Sequence, residues 1–350
     1  MRKIAKLAFY ALIFSLLVVS CTDDEENYGL YGKGVYVLNE GSASGSVSYI
    51  NTDNDDVTNG IFALNNGVPL GQYPQSMAFS KDYLVIVVTT SNGAGSIEIV
   101  DKETMLSVAA FTELSYPREV TIYDNKAYVT NGSGEGVVYV VDLKTLTMNS
   151  TSIAVGHGPE KMVVSNDKLY VANSGGWLND DNTVSVINLN TLTVENTITV
   201  KACPKDMVVD ADGNVWVNCG GAPDYSNYPN VSYTDAGLSK INTEDNSVTS
   251  WPIANPSGTV KNMAVSPDGS TIYFVSDAVY AMEVSSSTLP SAKFIDDTFY
   301  GIDVNPDNGD VWVCDQLSYS DPSVVKCYSK EGAFKAEYTV GVSPNSCMFW

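Results

Sequence analysis

A handful of side chains able to hold charge or donate hydrogen bonds recur at one position of a repeated motif. Gln75, Arg118, Glu160, Lys205 and Asn345 each directly follow a proline, in Tyr73-Pro74-Gln75, Tyr116-Pro117-Arg118, Gly158-Pro159-Glu160, Cys203-Pro204-Lys205 and Ser343-Pro344-Asn345. Arg118 is the only arginine beyond Arg2, and His157 is the only histidine. Brought together, these residues form a ring of both charges and of amides, which is the chemistry of polar ligand recognition. Catalysis has less to work with. One histidine excludes multi-histidine metal sites and leaves little room for a Ser-His-Asp triad. The chain has no Gly-x-Ser-x-Gly elbow, P-loop or dinucleotide fingerprint. Asn51-Thr52-Asp53-Asn54-Asp55-Asp56 alternates oxygen ligands but lacks the spaced terminal glutamate of a calcium loop, and reads as a solvated turn. No catalytic residue, metal ligand or cofactor is assigned. Arg118 also suits a salt bridge to a neighbouring acid, and His157 a loop hydrogen bond; both alternatives stay open.

The elements that must position these groups repeat with a period of about 45 residues. A first strand opens at Met77, Val120, Met162, Met207, Met263, Ile302 and Cys347. Two copies lack the proline: Val260-Lys261-Asn262-Met263 and Phe299-Tyr300-Gly301-Ile302, the latter placing Tyr300 in the motif. A β-rich second run accompanies each unit, as in Val35-Tyr36-Val37, Ala127-Tyr128-Val129 and Val215-Trp216-Val217. A third strand and a more polar fourth strand follow. Four short strands repeated seven times predict an all-β, seven-bladed β-propeller. The chain opens on a second strand and ends on a first strand, so the C-terminal strand is expected to complete the N-terminal blade and close the ring.

In this phase, the loops into first strands and between second and third strands share one face, the upper face. The opposite loops are short hairpin turns such as Asp124-Asn125 and Asp212-Gly213. The upper loops are longer. They carry Trp177 between Asn173 and Asn182, Tyr225 and Tyr228 in the long segment after Cys219, and Tyr319 in Gln316–Ser323. Exposed aromatics beside Asn and Gly suit a ligand with both apolar faces and amides, although such side chains can equally pack their own loops. Tyr73, Tyr116, Asn39, Glu40, Asn131, Asn173 and Gln316 are expected near the same mouth.

The chain has 350 residues, with 19 Lys+Arg against 41 Asp+Glu and a formal net charge of −22. That surface is wrong for nucleic acid. Hydrophobic residues make up 44%, enough for a large core. Residues 1–20 read as a signal peptide: Arg2, Lys3 and Lys6 precede an apolar run from Leu7 to Val19 that is too short to span a membrane comfortably. Val18-Val19-Ser20-Cys21 resembles a bacterial lipobox, which implies cleavage before Cys21 and lipidation there. Thr22-Asp23-Asp24-Glu25-Glu26 resembles the export signal of Bacteroidetes surface lipoproteins. Residues 21–30 are expected to be an acidic tether and 31–350 the propeller, anchored at the outer membrane and exposed at the cell surface, with the membrane touched only through the lipid on Cys21. Strand register would allow Cys203 to meet Cys219 and Cys314 to meet Cys327, leaving Cys347 over; free buried thiols are an equal alternative.

Two stretches, Val35-Tyr36-Val37-Leu38-Asn39-Glu40-Gly41 and Phe299-Tyr300-Gly301-Ile302-Asp303-Val304-Asn305-Pro306-Asp307-Asn308-Gly309, resemble the YncE-like propeller lipoproteins of Bacteroidetes, grouped as a domain of unknown function (DUF5074). The resemblance runs from about residue 31 to 350 and extends to the BtuG-type cobalamin-binding proteins. It implies a non-enzymatic protein that captures vitamin B12 or related corrinoids and passes them to a TonB-dependent outer-membrane transporter, with cobalamin as cargo rather than cofactor. The alternatives are a glycan-binding surface lipoprotein or a propeller lyase or oxidoreductase.

Overall fold

The computed structural model describes residues 30–132, 135–254 and 262–350. The readings placed on residues 1–20, on Cys21 and on the acidic run lie outside them. Seven antiparallel sheets radiate from a central channel. The first blade contains Val35–Asn39, Ser46–Asn51 and Asp56–Thr58, and its innermost strand is the C-terminal Pro344–Phe349. Val35 pairs with Phe349 and Val37 with Cys347, so the predicted closure is present. The innermost strands of blades two to seven are Pro74–Phe79, Pro117–Tyr123, Pro159–Ser165, Pro204–Val209, Met263–Val265 and Gly301–Val304.

Burial explains the residue pattern. Second strands lie between neighbouring blades with both faces covered, so they read as unbroken apolar runs such as Leu84 to Val88. Outer strands such as Thr193–Thr199 turn polar side chains to water, which protects an exposed edge from pairing with another chain. Among the described residues the core divides into seven hydrophobic clusters, each joining two adjacent blades. The seam between last and first blade joins Val35, Val37 and Cys347 to Trp312, Cys314 and Val325.

The structure differs from expectation in a few places. Blade six has three strands among the described residues. Its fourth position holds only a bridge from Val279 to Ile295, in a segment broken by Ser285-Ser286-Ser287 and Pro290. The outer edge of blade three is split into Thr147–Met148 and Ile153–Ala154. A short helix, Ile61–Asn66, was not anticipated. It starts and stops at left-handed Gly60 and Gly67 and buries Ile61 and Phe62.

Cys203, Cys219, Cys314, Cys327 and Cys347 are all buried free thiols, so neither envisaged disulfide forms. Pro204 rather than Cys203 stands opposite Cys219, and Cys327 stands opposite Trp312. Cys347 is not left over: its Sγ lies 3.9 Å from Cys314 Sγ across the closing seam.

Candidate functional site

The proline motif has a backbone device beneath it. The residue before each proline is left-handed: Tyr73 (φ 46°), Tyr116 (φ 55°), Gly158 (φ 54°), Cys203 (φ 57°) and Ser343 (φ 54°). For bulky residues this conformation is strained, and such strain persists only where surrounding structure enforces it. Here the enforcement is a hydrogen bond to the carbonyl of that residue, for example from Gly132 N to Tyr116 O at 2.8 Å and from Ser174 N to Gly158 O at 3.0 Å. The prolines pair with the end of the neighbouring second strand, and the register then slips by a bulge. A bulge re-aims side chains. In this ring it turns the two residues after each proline toward the channel instead of letting them alternate.

Two tiers result, lining a cavity of about 300 Å³. The upper tier brings together Glu40, Gln75, Arg118, Glu160, Lys205, Tyr300 and Asn345. Arg118 Nε lies 3.0 Å from Glu160 Oε2, and Nη1 donates to Gln75 Oε1. The Glu160 carboxylate, and to a lesser degree Glu119 and Glu40, hold Arg118 above its ordinary range. Tyr300 donates to Glu40 Oε1 at 3.0 Å. Asn345 Nδ2 donates to Pro74 O at 3.0 Å, tying the closing strand to the next blade.

The lower tier holds Ser76, Glu119, Lys161, Asp206, Asn262 and Asp303. Lys161 Nζ is 3.8 Å from Glu119 Oε2. Asp206 accepts the Met263 N–H at 2.9 Å, and Asp303 accepts the Cys347 N–H at 2.7 Å. Burial pushes Glu119 and Asp303 each up to about 7, and Asp206 also rises, with Lys161 pulling all three back. Burial would lower Lys161, but Glu119, Asp206 and Asp303 outweigh it and keep the ammonium charged. The floor of the channel is therefore a cluster of three raised carboxyls around one lysine. Among the described residues no group of three or more His, Cys, Asp and Glu has the arrangement to hold a metal ion.

Beside the mouth lies a second cavity of about 160 Å³, lined by Tyr116, Gly132, Gly158, Pro159, Gly176 and Trp177, with Arg118, Glu160 and Lys205 shared with the channel. Of the predicted residues, Glu40, Gln75, Arg118, Lys205, Tyr300 and Asn345 thus meet at the mouth, and Tyr116 and Trp177 at its side. Asn39, Asn131 and Asn173 line neither cavity. They are buried hydrogen-bonding groups: Asn39 donates to Ser48 Oγ at 2.9 Å, Asn173 to Ser185 Oγ at 3.0 Å, and Asn131 accepts from Ser115 N at 3.2 Å. In this structure their side chains tie neighbouring backbone and strands together and do not reach either cavity. His157 is exposed outside the mouth, its Nδ1 3.9 Å from Asp180 Oδ1. Tyr73 and Gln316 also lie outside both cavities; Tyr73 O accepts from Thr89 N, and Gln316 donates to Ser343 Oγ at 2.8 Å. Trp177, Tyr228, Tyr319 and Tyr225 stand exposed on upper loops at 88%, 78%, 78% and 61% of their surface. The lower tier was missed as a site. Its signal was the second residue after each proline, Ser76, Glu119, Lys161 and Asp206, legible only once the bulge is known.

A family profile matches residues 33–340. The chain belongs to DUF5074, a domain of unknown function. No curated protein matches it. Solved structures similar to this DUF5074 chain include a quinoprotein alcohol dehydrogenase-like protein from Bacteroides thetaiotaomicron (19% identity, TM-score 0.66, covering 91% of this chain and 78% of that one). The periplasmic gluconolactonase of Pseudomonas aeruginosa is similar too (14%, 0.65, covering 91% and 98%), as is Kuenenia stuttgartiensis hydrazine synthase (15%, 0.65, covering 89% and 98%). At these identities the likeness establishes the fold alone, because propellers host unrelated activities.

Proposed function

We propose that this DUF5074 chain is a non-enzymatic surface lipoprotein that captures a corrinoid of the vitamin B12 class and passes it to a TonB-dependent outer-membrane transporter. The observation that carries this reading is the mouth itself. Arg118, Lys205, Glu40, Glu160, Gln75 and Asn345 converge there, opposite charges beside amides, below exposed aromatics on longer loops. A corrinoid is a broad ring edged with amides and carrying a phosphate. It is larger than the 300 Å³ channel, so in this reading it lies across the mouth against the rim, and only a side arm enters. Lipidation at Cys21 and the outer-membrane location belong to the same proposal and are supported by Val18-Val19-Ser20-Cys21 and the acidic run after it. A glycan laid on Trp177 and Tyr228 is the competing use of the same rim.

The test is calorimetric titration with cyanocobalamin and with cobinamide. The expected result is saturable one-to-one binding that weakens at least about tenfold in Arg118→Ala, the loss of one charge-assisted hydrogen bond. No heat with either corrinoid, together with retardation on a polysaccharide-containing native gel, would replace the corrinoid reading with the glycan one. Palmitate labelling that survives Cys21→Ala would refute the anchor.

A further inference from the structure

The side cavity carries a second site of its own. Its floor is made of backbone, because Gly132, Gly158 and Gly176 supply no side chains. Gly158 sits tight under the Trp177 loop: a Cβ there would come within 2.0 Å of Gly176 N. Gly132 and Gly176 instead have room for a Cβ, which would make ordinary van der Waals contacts from 3.6 Å outward with Arg118 and the facing glycine backbone. Their missing side chains are the hollow. Tyr116 and Trp177 supply flat apolar surface, and Tyr116 is fixed in its strained left-handed backbone by Gly132 N–H on its own carbonyl. The volume of about 160 Å³ is near the ~150 Å³ of an engineered cavity that takes up benzene. The volume matches one six-membered ring.

Charge decides what the ring carries. Arg118 is engaged by Glu160 and Gln75. Lys205 donates to the neutral Asn179 Oδ1 at 3.1 Å and lies beside the buried thiol of Cys203. No carboxylate pairs with it among the described residues. A half-buried ammonium with only neutral partners, at the lip of an apolar slot, favours an anion there.

We propose that this cavity binds a single planar six-membered ring bearing a carboxylate, the benzoate class, with the ring over the glycines against Tyr116 and Trp177 and the carboxylate on Lys205. The cavity shares Arg118, Glu160 and Lys205 with the mouth, but the two readings are tested apart, since benzoate and corrinoid titrations are separate measurements and either can succeed where the other fails.

The experiment follows 4-fluorobenzoate by fluorine NMR on the purified protein, with 4-fluorobenzyl alcohol, 4-fluorobenzylamine and glucuronate as competing probes. Saturable binding of the benzoate is expected, with the alcohol and the amine each weaker by about tenfold, the worth of one charge-assisted bond. Gly132→Val fills the hollow from a residue whose backbone is not left-handed, and should abolish binding. Lys205→Met should retain ring binding while removing the preference for benzoate over the alcohol. Because Gly132→Val could disturb the rim, Lys205→Met and its unchanged melting curve carry the test independently. Absence of saturable benzoate binding, equal binding by Gly132→Val, or tighter binding of the amine or of glucuronate would each overturn the proposal.

Discussion

Asp303→Asn tests the reading of the channel floor quantitatively. In the folded chain burial holds the Asp303 carboxyl at about 7, against an ordinary 3.8. A raised carboxyl keeps its proton in the folded state while the unfolded state has already lost it. This costs nothing below the unfolded value, and stability falls as pH climbs from about 4 through the folded value near 7. At about 1.4 kcal/mol for each tenfold change in proton affinity, the upper bound is about 4 kcal/mol. Asp303 is only partly buried, accepts the Cys347 N–H, and shares its cluster with Lys161, Asp206 and Glu119. Screening and sharing cut the expected effect to roughly 1–2 kcal/mol. Asparagine keeps an oxygen for the Cys347 N–H and removes the titration. Urea unfolding of both proteins should therefore show the variant gaining about 1–2 kcal/mol on the wild type between about pH 4.5 and pH 8, levelling above 7. Comparing the two proteins cancels the repulsion of the many surface acids. A stability difference that stays constant across that range would refute the assignment of a buried, proton-holding floor.

Further outcomes can be measured on the same material. Asp210→Ala removes the acceptor that Trp216 Nε1 meets at 2.8 Å and Lys240 Nζ at 3.0 Å, and should cost about 3 kcal/mol in urea unfolding, the low end for breaking a buried pair, because it strands the buried Trp216 N–H and a half-buried Lys240 ammonium. Burial alone would raise Asp210, but hydrogen bonds from Trp216 and Lys240 outweigh it and hold it below its ordinary value; its contribution is therefore present above about pH 4 and disappears on acidification. Deleting Pro344–Phe349 and Trp350 should abolish the cooperative thermal transition and leave an aggregating chain, since it uncovers the edge of Val35–Asn39 and opens the seam cluster. Native protein should leave Cys203, Cys219, Cys314, Cys327 and Cys347 unreactive toward a chromogenic disulfide, with all five reacting in denaturant, because burial raises thiols such as Cys327, pushed up to about 11.

The repeat was readable because its landmarks are consequences of geometry. Proline marks the entrance to five of the seven inner strands, where it cannot donate to a ladder, and unbroken apolar runs mark strands covered on both faces. Loss of the landmark does not by itself cost a strand: blade six lacks the proline and has three strands among the described residues, whereas blade seven lacks it too and keeps all four. The upper ring followed from the same phase, because Gln75, Arg118 and Lys205 share one register position. The lower ring did not. Strict alternation would hide Glu119, Lys161 and Asp206 between blades, and only the bulge after each proline turns them inward. Asn39 and Asn173 misled for a related reason: polar residues at strand ends look like rim groups, but their amides reach the third strand below it. Their orientation has a quiet sequence partner, since a Cβ at Gly341 or Gly156 would strike those amides at 2.7 and 2.5 Å.

The way the chain enters the ring fixes how the molecule can be held. Tyr31 N donates to Glu103 O at 2.8 Å, and Gly34 N to Trp350 O at 2.7 Å, both at the turn side of the blades. From there Val35–Asn39 climbs to Glu40 at the mouth. Any support attached ahead of Leu30 therefore pulls on the side away from the mouth. Such a support would join the molecule on the face of its short turns, opposite the opening. Load would also arrive in the blade that both chain ends share, where Val35–Asn39 is held by strands on either side. A pull at the start of the chain must then shear a doubly paired strand rather than peel a free edge.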